Sequence, residues 1–505
     1  MMKFEEEITF SVIANGVKRS QYMKTGSNHS TLRFLANTGQ RVIFNSLSAV
    51  FLGLFIMASC ASSTETQKVA KDQKPNIIFI MADDMGYADA GAYGQKLIKT
   101  PNIDQLANEG MRFTQCYSGS SVCAPARSVL MTGLHTGHTR VRGNFGVGGV
   151  IGLGGGKGRI PLRTEDVTVA QLLKKAGYTT GMVGKWGLGE PNTTGEPNSK
   201  GFDEFYGFLN QRRAHTYYPD YIWKNKEKVV LNNKDGKGTD YTHDLFADYA
   251  LDFINRHKDQ PFFLYLPLCI PHDNYELPDL GVYKDEMWNE DAKAYAAMIS
   301  RMDNTVGRLM SALKKAGIDD NTYVFFTSDN GAAESSSEWN LFNSNAPLRG
   351  VKRDPYEGGI RVPMIVRHPK EIKAGTSNDL PWYFADVLPT MAEIAGIPIP
   401  EKLDGVSVLP TLYGNKQDLQ GRNMYWEFYE KKGWRAIRFG NWKAIQNDMH
   451  SKEHAPIELY DLSQDIGETN NLADKNPEII SQVEQMFVEA HTPSDHYVWK
   501  HLNNK

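Results

Sequence analysis

Two apolar runs in this 505-residue chain each end in a pair of oxygen-bearing side chains: NIIFIMADD closes on Asp83-Asp84, and TYVFFTSDNG runs into Asp329-Asn330. In an open α/β sheet ligands bind at the carboxyl ends of the strands, so the two pairs are expected to converge although they lie far apart in the chain. Three carboxylates and an amide make a hard, all-oxygen donor set of the kind that holds Ca²⁺ or Mg²⁺. No Cys/His spacing points to zinc. One Asp-Asp pair after one strand is ordinarily a loop start or helix cap; two pairs on two strands argue for a metal. Between them stands Ser121-Val122-Cys123-Ala124-Pro125-Ala126-Arg127. Pro125 suits the first turn of a helix, which would hold Cys123 near a helix N-terminus, where unpaired amides and the dipole favour an anion. The chemistry these residue types fit is attack on an anionic ester docked beside a divalent cation.

Strands must deliver those pairs. Short apolar runs at 76–81, 179–183, 262–268, 323–327 and 362–366 alternate with longer segments of helical period, such as 167–176 followed by Gly177. Continuous apolar strands separated by helices predict an α/β sandwich with a large, mostly parallel central sheet flanked by helices. After a stretch rich in Pro, Gly, Asp and Asn at 399–421, shorter runs at 424–429, 435–439, 442–446 and 457–461 predict a small antiparallel sheet, closed by a helix over 477–490. The expected domains are therefore 75–410, catalytic, and 411–505, a smaller C-terminal α+β subdomain. The Gly-rich stretch 143–158 reads as a mobile loop.

A chain of this length exceeds what one hydrophobic core normally serves, which agrees with two unequal domains. With 41% hydrophobic and 23% charged residues it has the make-up of a globular enzyme, and a net charge of -3 excludes the basic surplus of a nucleic-acid binder. Four cysteines, Cys60, Cys116, Cys123 and Cys269, are too few and too scattered for a disulfide framework. Cys116 and Cys269 read as small buried side chains. Residues 42–59 form an apolar run behind Arg41, in the order of a secretory signal peptide, and Met57-Ala58-Ser59-Cys60 resembles a bacterial lipoprotein cleavage box. Residues 1–60 are thus an N-terminal extension with a lipoprotein-type signal, and 61–74 a flexible tether. The expected location is the bacterial periplasm or cell surface, with membrane contact only through a lipid on Cys60.

Cys-x-Pro-x-Arg followed by Ser128 and Thr132-Gly133 resembles the signature of the type I sulfatases, arylsulfatase-like enzymes of the alkaline-phosphatase-like fold. The resemblance extends over roughly residues 75–490 through Gly86-Tyr87, Thr100-Pro101-Asn102-Ile103-Asp104, Gly184-Lys185-Trp186, Pro271-His272, Ser328 to Gly331, Lys352 with Tyr356 to Gly359, and Leu403 to Ser407. It implies hydrolysis of sulfate esters by a formylglycine made from Cys123, and so a maturation enzyme as partner. It further implies Ca²⁺, in preference to Mg²⁺, held by Asp83, Asp84, Asp329, Asn330 and residue 123. Arg127, Lys185 and Lys352 would hold sulfate oxygens, and His272 would protonate the leaving oxygen. One departure stands out. Relatives often have histidine two residues after the lysine, where this chain has Gly187; His215 is the candidate to fill that place or to bind substrate nearby.

The substrate expected is a sulfated carbohydrate, with Arg212, Arg213 and the rings of Tyr217, Tyr218, Tyr221 and Trp223 as one wall and Glu427, within 425–428, as another. His135 and His138 could suggest metal ligands at short spacing, but because they follow the nucleophile helix they read as ordinary residues, which with Arg140, Arg142 and Asn144 would line the substrate mouth. Two alternatives stay open: a phosphomonoesterase or phosphodiesterase of the same fold, and a surface glycan-binding protein that has lost catalysis.

Overall fold

Strand β1 (Asn76–Ala82) is buried along its whole length, and its alternate residues feed two cores. Ile77, Phe79 and Met81 join one core, Ile78 and Ile80 the other, following the period of two of an extended chain. A strand apolar on both faces needs a covering layer on each side. The computed structural model, which describes residues 74–151, 158–333, 337–419, 421–499 and 501, supplies those layers as helices. Helices α1 (Pro101–Glu109), α4 (Thr242–His257) and α5 (Glu290–Ala316) close one side; α2 (Cys123–Thr132) and α3 (Val169–Lys175) close the other.

The remaining strands of the sheet, in chain order, are β2 (Met111–Tyr117), β3 (Thr179–Lys185), β4 (Glu204–Phe208), β5 (Tyr221–Lys224) and β6 (Glu227–Val230). After a ribbon of β7 (Asn233–Lys234) and β8 (Lys237–Gly238) come β9 (Phe262–Pro267), β10 (Thr322–Ser328), β11 (Arg361–Arg367), β12 (Thr376–Asn378) and β13 (Trp382–Tyr383). Among the described residues the sheet has eleven strands in the order β12-β2-β11-β10-β1-β9-β3-β4-β5-β6, with β13 also on β2. Its centre, β10-β1-β9-β3-β4, is parallel. The run at 362–366 departs from the parallel pattern: β11 is antiparallel to β10. The segment joining them returns to the end of the sheet that β10 has just reached, so the chain runs back without a crossover.

Four strands, β14 (Asn423–Phe428), β15 (Trp434–Phe439), β16 (Trp442–Asn447) and β17 (Glu458–Asp461), form the second, antiparallel sheet. Tyr425, Ile437 and Leu459 on one face meet Val483 and Phe487 of the helix Pro477–Ala490. Trp426, Phe428 and Trp434 on the other join the core of the large sheet, and Trp426 Nε1 donates to the carbonyl of Ser118 at 2.8 Å. The expected boundary at 410/411 falls inside the short helix Leu409–Leu412, where Pro410 occupies the first turn. There proline starts a helix and does not break one. Among the described residues no helix is long and apolar enough to cross a membrane; the signal, lipidation and tether readings at 1–60 and 61–73 lie outside them, as do residues 152–157 of the Gly-rich stretch.

Candidate active site

Register brings the two acidic pairs together. β1 and β10 run in parallel step from Asn76↔Thr322 to Ala82↔Ser328, so the next residues out, Asp83 and Asp329, leave the sheet side by side. Asp84 then turns into the left-handed region at φ 67°, and its backbone N–H donates to Asp329 Oδ1 at 3.1 Å. Asn330 Nδ2 donates to Asp84 Oδ1 at 2.7 Å. β9 lies on the other side of β1 and leads to His272; β3 lies beyond it and ends in Lys185. Helix α2 begins at Cys123, as its Pro125 predicts, and is buried throughout.

The result is a buried constellation. Cys123 Sγ lies 3.4 Å from Asp83 Oδ1 and 3.5 Å from Lys185 Nζ. Lys185 Nζ donates to Asp83 Oδ2 at 2.5 Å, and Arg127 donates to Asp329 Oδ2 at 2.7 Å. Lys352 Nζ donates to Asp84 Oδ2 at 2.5 Å and faces His272 Nε2 at 3.1 Å. Ligand atoms of Asp83, Asp84, Cys123 and His272 all lie within 4.8 Å of one another. Asn330 Oδ1 is buried with no hydrogen-bond partner. A hard oxygen left over beside three carboxylates is what a Ca²⁺ or Mg²⁺ ligand set offers, and the residues present fit such an ion.

Burial and charge set the protonation states. Burial alone would raise the carboxyl pKa of Asp83, but Lys185, then His272, Arg127 and Lys352, outweigh it and hold the group well below the ordinary range. For Asp329, burial and then the neighbouring Asp83 win, pushing it up to about 6. Burial and Asp83 likewise push the Cys123 thiol up to about 12, so the unmodified side chain is a poor nucleophile here. Lys185 and Lys352 are held above the usual lysine value despite burial, chiefly by Asp83 and Asp84 respectively. His215 stacks on His272 with ring centroids 3.8 Å apart. Burial and then His272 drive it far below the ordinary histidine range, so its ring is neutral.

Above this floor opens a cavity of about 580 Å³. Of the sequence-predicted residues, Asp84, Cys123, His215, His272, Lys352, Arg212 and Asn144 line it, while Asp83, Arg127, Lys185, Asp329 and Asn330 form its buried support. Others are placed elsewhere. Glu427 is fully buried between Arg142 at 2.8 Å and His491 at 2.9 Å, with Tyr425 and Trp426 equally buried around it. This corrects both the expected second wall and the expected place of Arg142 at the mouth. Arg213 pairs with Asp220 at 2.5 Å, stacks 3.8 Å from the ring centroid of Tyr221, and faces a different cavity. Tyr217 is core, its hydroxyl donating to the carbonyls of Cys269 and His272. His138 Nδ1 lies 2.8 Å from Asp404 Oδ1, which ties the end of α2 to the Leu403–Ser407 motif. Six lining residues were not singled out: Phe145, Ala333, Arg353, Arg159, at the end of the Gly-rich stretch, Gln211, and Asp273, which contacts His272 Nδ1. Adjacency to His272 was the available signal for Asp273; nothing local marked Gln211.

A cysteine at a helix start, a compensated cluster of carboxylates and cations, and a histidine at the cavity wall, all at the carboxyl ends of parallel strands, define an α/β hydrolase of anionic esters. The family model for sulfatases matches residues 75–397, and that for the C-terminal part of N-sulphoglucosamine sulphohydrolase matches residues 351–492. The chain belongs to the sulfatase family, and its activity is the hydrolysis of sulfate esters. It is 33% identical over 396 residues to the N-acetylgalactosamine-6-sulfatase of Canis lupus familiaris, covering 74% of this chain and 72% of that one. With human arylsulfatase A it shares 31% identity, over 83% of this chain and 88% of the relative. Among solved structures, Ps i-CgsB in complex with k-i-k-neocarrahexaose is similar with a TM-score of 0.73 and 32% identity, covering 83% and 93% of the two chains. The architecture is that of the alkaline-phosphatase-like fold.

Proposed function

We propose that this chain removes sulfate from a sulfated saccharide, with residue 123 acting as formylglycine and Ca²⁺ held by Asp83, Asp84, Asp329, Asn330 and residue 123. The observation that carries the reading is Cys123 lying 3.4 Å from Asp83 and 3.5 Å from Lys185 at the floor of a cavity of about 580 Å³. Formylglycine, once made by the maturation enzyme, supplies a hydrated aldehyde oxygen as the nucleophile toward sulfur, and Ca²⁺ supplies positive charge beside the sulfate oxygens. The chain's own residues do the rest. Lys185 sets its ammonium group on Asp83 and Lys352 on Asp84, and Arg127 fixes Asp329 in place. His272 lines the cavity with Nε2 beside Lys352 and Asp84, while Asp273 holds its Nδ1; a proton on Nε2 passes to the leaving oxygen, with Asp273 balancing the charged ring. His215, neutral and stacked on that ring, covers one of its faces.

The saccharide preference is supported by a relative named for N-acetylgalactosamine 6-sulfate and by a similar structure that holds an oligosaccharide. An exported enzyme, lipid-anchored through Cys60, follows from the signal-like run at 42–59. Two measurements on protein made with its maturation partner test the reading. The peptide containing Cys123 should be about 18 Da lighter than its cysteine form, the mass lost when an aldehyde oxygen replaces the thiol. The protein should turn over 4-nitrophenyl sulfate and not 4-nitrophenyl phosphate; preference for the phosphate would sink the proposal in favour of a phosphoesterase.

A further inference from the structure

The ladder between β3 and β4 continues past its last pair, Lys185↔Phe208. Trp186 N donates to Phe208 O at 2.9 Å, and Gly187 N donates to Leu209 O at 3.1 Å. The two chains therefore leave the sheet side by side at the rim of the site. On one of them Gly187 sits in the left-handed region at φ 81°. On the other, Asn210 Oδ1 accepts from Arg212 N at 2.9 Å, closing a turn that directs Gln211 back over the glycine. A Cβ at position 187 would stand 2.2 Å from Gln211 Nε2 and 2.7 Å from its Cδ. The amide fills the volume that any side chain at 187 would enter.

Gln211 is only 3% exposed and lines the same cavity as Cys123, His215 and His272. Its Nε2 lies over Gly187, sealed from solvent and without a hydrogen-bond partner, so the amide must rotate to present this donor to a ligand in the cavity. Buried donors are almost always paired, and a donor left without a partner at a ligand-binding wall is one whose acceptor the ligand brings. The glycine after Lys185-Trp186 and the unpaired amide are two halves of one arrangement, since the first makes room for the second.

We propose that Gln211 is a substrate-binding residue that donates a hydrogen bond to an oxygen of the sulfated substrate from the place left open at Gly187. This rests on the sulfatase reading for the substrate's chemistry. An amide does not titrate, so the contact is a neutral one that holds across the pH range and takes no proton.

The test uses mature wild type, Q211A, Q211E, G187A and the Q211A/G187A double variant, with 4-nitrophenyl sulfate and N-acetylgalactosamine 6-sulfate as substrates. One lost hydrogen bond at a charged ligand is expected to lower kcat/KM about tenfold or more in Q211A without moving the pH profile. Q211E should fall further, because a carboxylate then faces an anion. G187A should lose a similar factor or more, because it displaces the amide and also strains the left-handed backbone; in the Q211A background only the backbone strain remains, so its further effect there should be smaller than in the wild-type background. Loss on both substrates assigns the contact to a sulfate oxygen, and loss confined to the saccharide assigns it to a sugar oxygen. Protein that retains Cys123 supplies a readout independent of turnover: Q211A should weaken binding of N-acetylgalactosamine 6-sulfate, measured by calorimetry, by about the same factor. An inactive wild type whose binding still depends on Gln211 would overturn the sulfatase reading and keep this one. Rates and binding of Q211A within twofold of wild type, at an unchanged unfolding midpoint, would overturn the role of Gln211.

Discussion

His272 is the residue whose surroundings say most about its work. Its Nε2 looks at Lys352 at 3.1 Å and at Asp84 Oδ2 at 3.4 Å, while Asp273 holds Nδ1. A group placed to give a proton to a leaving oxygen matters most when that oxygen is a poor leaving group. Replacing it should therefore discriminate between substrates: H272A is expected to lower turnover of a sugar sulfate by about 10²–10⁴-fold, yet to spare 4-nitrophenyl sulfate, whose phenolate leaves without help. Equal losses on both would move His272 from proton donor to simple anion binder. His215 acts on the same ring, stacked 3.8 Å from it and held by Asn274, which donates to its carbonyl at 2.9 Å. H215A should admit water and let the His272 ring swing, costing about tenfold or more in kcat. Near wild-type kinetics would reduce His215 to packing.

At the scale of elements, the strands and the helix that carry the site were legible because burial on both faces writes itself as an unbroken apolar run, and because Pro125 marks a helix start. β1, β10 and α2 are where the runs and the proline put them. What stayed hidden depends on partners remote in sequence. Glu427 reads as a ligand-facing carboxylate until Arg142 and His491, from either side of the chain, neutralise it in the core. The direction of β11 is equally invisible in its composition, since a buried strand looks the same whichever way it runs. Asp303 shows such a remote partnership between helices: from α5 it accepts Ile103 N and Asn102 Nδ2 of α1, each at 2.7 Å. Burial outweighs those bonds and lifts its carboxyl from the ordinary value to about 6. Because the folded state then holds the proton more tightly than the unfolded chain, protonation stabilises the fold. That contribution is complete below about pH 4 and is lost as pH rises through about 6. The stability of wild type relative to D303N should thus fall by roughly 2 kcal/mol between pH 4 and 7, read from denaturant midpoints; a difference that does not change with pH would refute the assignment.

Across the whole molecule the site is an exercise in charge compensation. Asp83, Asp84 and Asp329 carry three negative charges, and Arg127, Lys185 and Lys352 carry three positive ones, so the buried cluster is neutral before anything binds. A neutral cluster has little attraction for a sulfate ester. A divalent cation on the free oxygens, including the unpaired Asn330 Oδ1, would take it to a net charge of about +2 and turn it into an anion site, with the lysines released toward the ligand. Four of the five groups that would hold the cation leave the sheet from β1 and β10, neighbouring strands of its interior, and α2 is tied to them through Cys123 at Asp83 and Arg127 at Asp329. Binding there should therefore stabilise the entire α/β body by mass action and not a loop alone. Adding Ca²⁺ at a hundredfold excess over its dissociation constant to chelator-treated protein should raise unfolding stability by about 2.7 kcal/mol, and adding sulfate should raise it further only when Ca²⁺ is present. Sulfate that stabilises the chelated protein as strongly as the Ca²⁺-loaded one would mean that the lysines and Arg127 suffice, and that the acidic pairs serve to hold them and not a metal.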